Sequence, residues 1–174
     1  MALNRLDTVF NEVRRVARNL RPALLDDLGL YAALQHLARE MQGGSGLEIA
    51  VTQSGTPREL PDEQATALFR IAQEALTNVE RHAGARRVVV ALAFDADATR
   101  LTVRDDGHGF DVARMQEDPQ RGIGLRNLRE RIAALCGQFD IVSGMGGTQL
   151  VASLPLARPA AIAHDPVSAG PSPS

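Results

Sequence analysis

Leu101 to Asp111 reads LTVRDDGHGFD. Leu101, Val103 and Asp105 alternate with Thr102 and Arg104, the two-residue period of a half-buried strand, and the strand runs into two glycines separated by a single residue. Because glycine carries no side chain to block an approach, this strand end sets a carboxylate that can be buried beside backbone open to a flat ligand. The same letters also describe a strand followed by an ordinary Asp-Gly turn. The setting has to distinguish the two.

Immediately before it, Arg87 to Phe94 is a second strand, joined to Thr99–Asp105 by the polar turn Asp95 to Ala98. After it, residues 112 to 121, VARMQEDPQR, carry no period and read as a loop able to move. Ile123 to Leu135 is then a helix, Phe139 to Ser143 a strand, Gly144 to Gly147 a turn and Gln149 to Leu154 a last strand. Upstream, Leu47 to Gln53 alternates as a strand. Pro61 in the first turn, with Asp62 and Glu63 at the positive end of the dipole, starts a long helix. Ala65, Leu68, Ala72, Ala75, Leu76 and Val79 give that helix a buried face, and Gly84 stops it. The order strand, helix, two strands, loop, helix, two strands predicts an α+β fold, a two-layer sandwich with helices on one face of a mixed sheet. It lacks the regular strand-helix alternation of a Rossmann domain, so Gly122 and Gly124 in RGIGLRN are not read as a dinucleotide fingerprint.

At the start of the chain, Leu3, Leu6, Phe10, Val13, Ala17 and Leu20 follow steps of three and four, widened by Val9 and Val16. Such a helix wants partner helices, or else docks on the domain that follows it. Arg14, Arg15, Arg18 and Arg21 form a solvated face. Pro22 ends or kinks the helix, and Leu24 to Met41 resumes a helical pattern after the Asp26-Asp27 pair and Gly29. Gly43-Gly44-Ser45-Gly46 is expected to break the helical run. The resulting division is a helical lead-in over 1–42, a main domain over 43–157 and a disordered tail rich in proline, alanine and serine over 158–174.

Composition allows a core, with 44% apolar residues in 174, and excludes a global nucleic-acid signature, with a net charge of -2 and a pI near 6.1. The single cysteine, Cys136, forms no intramolecular disulfide, and no apolar run spans a bilayer or makes a signal peptide. The expectation is a soluble chain in a reducing, cytoplasmic compartment, without nucleic acid and without a membrane segment of its own. Four scattered histidines and one cysteine offer no zinc-ligand spacing.

On the long helix, Glu74 and Asn78 lie four apart on one face, His82 continues the line and Arg81 lies alongside. A carboxylate and an amide oxygen projecting together are hard ligands of the kind magnesium accepts, with phosphate oxygens and water completing its shell; a polar stripe facing solvent has the same spacing. Gly122 and Gly124 precede a helix whose free N–H groups suit a phosphate, or they are simply a loop before a helix start.

ALFRIAQEALTNVERHAGA, Ala67 to Ala85, followed by VRDDGHGFD, RGIGLRNLRERI and GGTQLVASLPL, resembles the N box and glycine boxes of the ATP-binding domain of two-component sensor histidine kinases, in the same order. EVRRVARNLRPALLDDLGLYAAL, Glu12 to Leu34, is similar to the second dimerisation helix and connector of the subfamily that signals to NarL/LuxR-type response regulators. The resemblance spans roughly Leu3 to Leu156 and implies the Bergerat fold shared with gyrase and Hsp90-type ATPases. It implies ATP and Mg2+ as the bound groups. It also implies that Asp105 accepts a hydrogen bond from the adenine amino group while Gly107 and Gly109 give the base room. Asn78 is implied as the magnesium ligand, and Glu74 as a metal ligand or a base that orients the attacking group. Arg81 and His82 are implied at phosphates, Gly122 and Gly124 at a lid over the γ-phosphate, and Thr148 at the nucleotide.

The chain departs from the family in one respect. The acceptor histidine belongs to a first dimerisation helix with an acidic residue following it, and His36, His82, His108 and His164 all lack that context. The resemblance therefore implies a piece that begins after the acceptor helix, from a kinase that forms a homodimer and relays phosphate to a NarL/LuxR-type regulator. Such a piece binds ATP but does not autophosphorylate alone. Two alternatives are a stand-alone serine kinase of the anti-sigma type and a non-catalytic dimerisation or scaffold module. The LRP-to-LDDLGL connector argues against the first.

Overall fold

The computed structural model describes residues 23–112 and 123–156. The apolar seam of 3–20, most of the mobile-loop expectation with Gly122, and the tail lie outside the described residues. Helix α1 spans Ala23–Ser45, β1 Glu48–Gly55, α2 Asp62–Asn78, β2 Arg87–Phe94, β3 Ala98–Asp105, α3 Ile123–Ala134, β4 Gln138–Gly144 and β5 Gly147–Pro155. The strands form one sheet in the order β1-β2-β3-β5-β4. β1 and β2 pair in parallel, Ile49 opposite Val88, which requires a crossover, and α2 supplies it. All other pairs are antiparallel, so the sheet is mixed, as the element order predicts.

The two-residue period sorts each strand. Val88, Val90 and Leu92, Leu101 and Val103, and Leu150, Ala152 and Leu154 are buried under the helices, whereas Val89, Arg104, Gln149 and Val142 are exposed on the other face. Leu68, Ile71, Ala72 and Leu76 of α2 and Ile132 of α3 complete this layer. Leu25, Leu30, Leu34 and Leu37 of α1 belong to the same core, because α1 packs on α2 and β1.

Three local readings are corrected. Gly43, Gly44 and Ser45 do not break α1, which ends only before Gly46 at φ 68°. Glycine costs a helix only about 1 kcal/mol, whereas a left-handed residue past the end terminates it geometrically. The actual break comes earlier, at Gly29, whose φ 79° and ψ 176° are non-helical and divide α1 into two runs. Pro61 stands one position outside α2, where its carbonyl accepts the Ala65 N–H at 3.0 Å. Finally, the long helix does not stay α-helical to Gly84; it widens into a π turn over Val79–Ala83.

Candidate functional site

Between α2, the end of β3, the start of α3 and the β4–β5 hairpin lies a cleft of about 670 Å³. That volume suits a nucleotide-sized ligand. Its walls are largely apolar, with Val79, Val103, Leu125, Ile141 and Leu150 among the lining residues. The polar groups in it are Glu74, Asn78, His82, Asp105, His108 and Thr148. The fold thus brings together most of the residues singled out in the sequence, drawn from segments far apart in the chain.

Asp105 ends β3 with its side chain on the buried face, 5% exposed. Its Oδ1 accepts the Gly107 N–H at 2.8 Å, which fixes the carboxylate's rotation. Gly107 itself is buried and does not line the cleft: a Cβ built there would lie 2.4 Å from the Ala83 carbonyl oxygen. The space that the missing side chain leaves is taken by the end of the π turn. Gly109 does line the cleft, yet its φ of 66° and a Cβ position 2.1 Å from the Gly144 oxygen show that it also lets the loop lie against the hairpin.

Glu74 and Asn78 face the cleft from α2, and His82 follows from the π turn. Arg81, in the same π turn, is exposed and is not among the residues that line the cleft. The reason is the widened turn: i→i+5 closure rotates each residue by less than an α-helix does, so a residue three past Asn78 falls further round the axis while the residue four past stays near its line. Gly124 sits at the first turn of α3 against Glu74, where a Cβ would come within 2.5 Å of Oε1. Gly122 lies outside the described residues. Thr148 is held by Ser143, its cross-strand partner in the hairpin, with 2.8 Å between the two hydroxyls. The Phe110 N–H donates to the same Ser143 oxygen at 2.9 Å.

Asp106, beside Asp105, is exposed and points away from the core. Its Oδ1 accepts the backbone N–H groups of Arg86 at 2.8 Å and Arg87 at 2.9 Å. The Arg87 and Arg86 amides hold its carboxyl below the usual carboxylate range. Since the folded value is the lower one, this contribution to stability is complete above the ordinary carboxylate pKa and is lost as pH falls through the depressed one.

Residues 63–158 match the family model described as histidine kinase-, DNA gyrase B-, and HSP90-like ATPase. The chain belongs to this ATPase family. Sensor histidine kinase MctS of Rhizobium johnstonii is 44% identical over 150 residues, which are 86% of this chain and 32% of the relative. Histidine-protein kinase/phosphatase UhpB of Salmonella typhimurium is 36% identical over 148 residues, 84% of this chain and 29% of the relative. Among solved structures, the histidine kinase domain of the Erythrobacter litoralis EL346 blue-light activated histidine kinase superposes with a TM-score of 0.56 at 26% identity, covering 73% of this chain and 61% of that one. The chain spans about a third of the length of the curated relatives it matches.

In this ATPase domain several residues in the cleft, and Ser143 just behind it, are not singled out by the sequence. Ile141 and Leu150 were legible only as strand residues, because which strand end meets the cleft depends on sheet order. Ser143 had a usable signal: a two-residue turn, Met145-Gly146, places Ser143 directly opposite Thr148. His108 and Phe110 lie within the opening stretch, and their positions are set by the loop's tie to Ala83 and Ser143. Among the described residues no helix is long and apolar enough to cross a membrane.

Proposed function

We propose that the chain is the ATP-binding catalytic portion of a two-component sensor histidine kinase, which transfers the γ-phosphoryl group to a histidine on another helix for relay to a response regulator. The observation that carries this is the buried Asp105 carboxylate in a nucleotide-sized cleft that is also lined by Glu74, Asn78, His82 and the first turn of α3. Asp105 accepts the adenine amino hydrogen; guanine would place an acceptor there and leave two acceptors facing each other. Apolar walls at Val79, Ile141 and Leu150 take the base, and Thr148 adds a polar contact.

Asn78 and Glu74 provide the oxygen donors for Mg2+, with the remaining positions left to phosphate oxygens and water. His82 and the N–H groups at the start of α3, beside Gly124, face the phosphate end. Glu74 lies against that first turn, which suits either a metal ligand or a base. Bound ATP supplies the phosphoryl group, and these residues position it and balance its charge. The relatives' names as sensor kinases support a sensor kinase that works with a response regulator; that the full protein is a homodimer, membrane-anchored or not, with this portion in the cytoplasm and a NarL/LuxR-type regulator as its partner, is our reading of the Glu12–Leu34 resemblance. The division into lead-in 1–42, ATP-binding domain 43–157 and tail 158–174 is retained as our reading, with the described part of the lead-in docked on the domain through Leu30, Leu34 and Leu37.

The test is to mix the chain with labelled ATP and a separately made acceptor-helix fragment. Label should appear on that fragment as phosphate that is labile in acid, and none should appear on the chain alone. Acid-stable phosphoserine on a partner would instead support a serine kinase. Asn78→Ala should abolish the Mg2+ dependence of ATP binding measured by calorimetry, and an unchanged Mg2+ response would remove Asn78 from the metal site.

A further inference from the structure

Asp105 and Asn78 line the same cleft from different elements, β3 and α2, so their separation depends in part on whatever ties the end of the π turn to the loop after β3. The structure shows that tie. Asp106 Oδ1 accepts both the Arg86 and Arg87 N–H groups, and the Asp106 N–H donates back to the Arg87 carbonyl at 3.2 Å. One turn away the His108 N–H donates to the Ala83 carbonyl at 3.0 Å. Gly107 fits against that same Ala83 carbonyl, and on the far side the Glu48 N–H donates to the Arg86 carbonyl at 2.9 Å, carrying the tie into β1. Residues 83–87 are thus held from one side by the loop that carries Asp105.

We propose that Asp106 is a positioning residue for nucleotide binding, whose carboxylate oxygen clamps the junction between the Asn78–His82 segment and β2 to the Asp105 loop and so helps set the separation of Asp105 and Asn78 across the cleft. The inference rests on the ATP reading above. Asp106 need not touch the nucleotide, because it does not line the cleft. Asp106 is exposed to solvent. If the carboxylate is removed, water can take the Arg86 and Arg87 N–H groups, so the fold loses little, while the junction gains freedom that binding must then remove. Geometry rather than charge is what the clamp requires. One acceptor oxygen at aspartate's reach serves both amides, and an asparagine offers the same oxygen.

The test measures ATP affinity of the full chain by calorimetry, with melting temperature without nucleotide as a control for folding. Asp106→Ala should weaken ATP binding roughly tenfold while the melting temperature stays near wild type. Asp106→Asn should stay within about threefold of wild type, whereas Asp106→Glu, which keeps the charge on a longer arm, should bind as weakly as alanine. Wild-type affinity in Asp106→Ala overturns the proposal. So does the reverse pattern, with Glu strong and Asn weak, which would show that the charge acts directly. If Asp106→Ala does not fold, the Asn and Glu variants alone decide between these outcomes. If wild type binds no ATP, the nucleotide reading fails and this inference falls with it; failure of the clamp alone leaves wild-type binding intact.

Discussion

Asp105→Asn should lose ATP affinity by about 1.5–3 kcal/mol, tenfold to more than a hundredfold in Kd, as measured by calorimetry. The size follows from the burial of the carboxylate and from a detail of its orientation. The Gly107 N–H donates to Oδ1 at 2.8 Å, and in the asparagine variant this bond selects the rotamer that keeps the amide oxygen toward Gly107. The amide nitrogen then faces the cleft, and a donor meets the adenine amino donor. The same substitution should narrow the preference for ATP over GTP, since that nitrogen can donate to a guanine oxygen. Unchanged ATP affinity in a variant that melts like wild type would remove Asp105 from base recognition.

Leu34→Ala should destabilise the chain by about 2–5 kcal/mol in urea unfolding, whereas Leu28→Ala should change it by less than about 0.5 kcal/mol. Leu34 is 1% exposed within the core shared by α1, α2 and β1, while Leu28, beside the Gly29 break, is 65% exposed. The comparison separates two descriptions of the lead-in. If α1 after Gly29 is structurally part of the ATP-binding domain, the Leu34 loss appears as a shift of one cooperative transition. If it were an appendage, Leu34→Ala would leave the main transition in place and loosen α1 alone.

The sheet was legible because its strands obey a strict alternation and their turns carry recognisable residues: Arg87–Phe94 is found where the period puts it, and Gly144–Gly147 closes the last hairpin. Helix faces were legible for the same reason, since Leu68, Ala72, Ala75 and Leu76 recur at helical spacing and are all buried. The π turn was not, because Val79 to Ala83 contains no residue that distinguishes i→i+5 from i→i+4 closure. That single ambiguity hid where Arg81 falls relative to the cleft. The packing at Gly107 was not legible because a sequence shows only that a side chain is missing, not what fills the space. Asp106 was passed over because its role depends on two amides about twenty residues upstream, a pairing visible only once β2 and β3 are in register.

The cleft walls come from α2, β3, α3, β4 and β5, and the central pairing that brings them together joins Leu101 to Ala152 across an intervening helix and hairpin. Such long-range closure costs loop entropy before any contact rewards it, and the cleft exists only once β3 and β5 have paired. No partly folded intermediate that lacks the β3–β5 pairing can hold half a site. A ligand bound there stabilises the whole domain against global unfolding rather than one loop against fraying, by RT ln(1 + [L]/Kd). A nucleotide-dependent rise in melting temperature would therefore report completion of the entire sheet, and amide exchange in β3 and β5 should slow together with it.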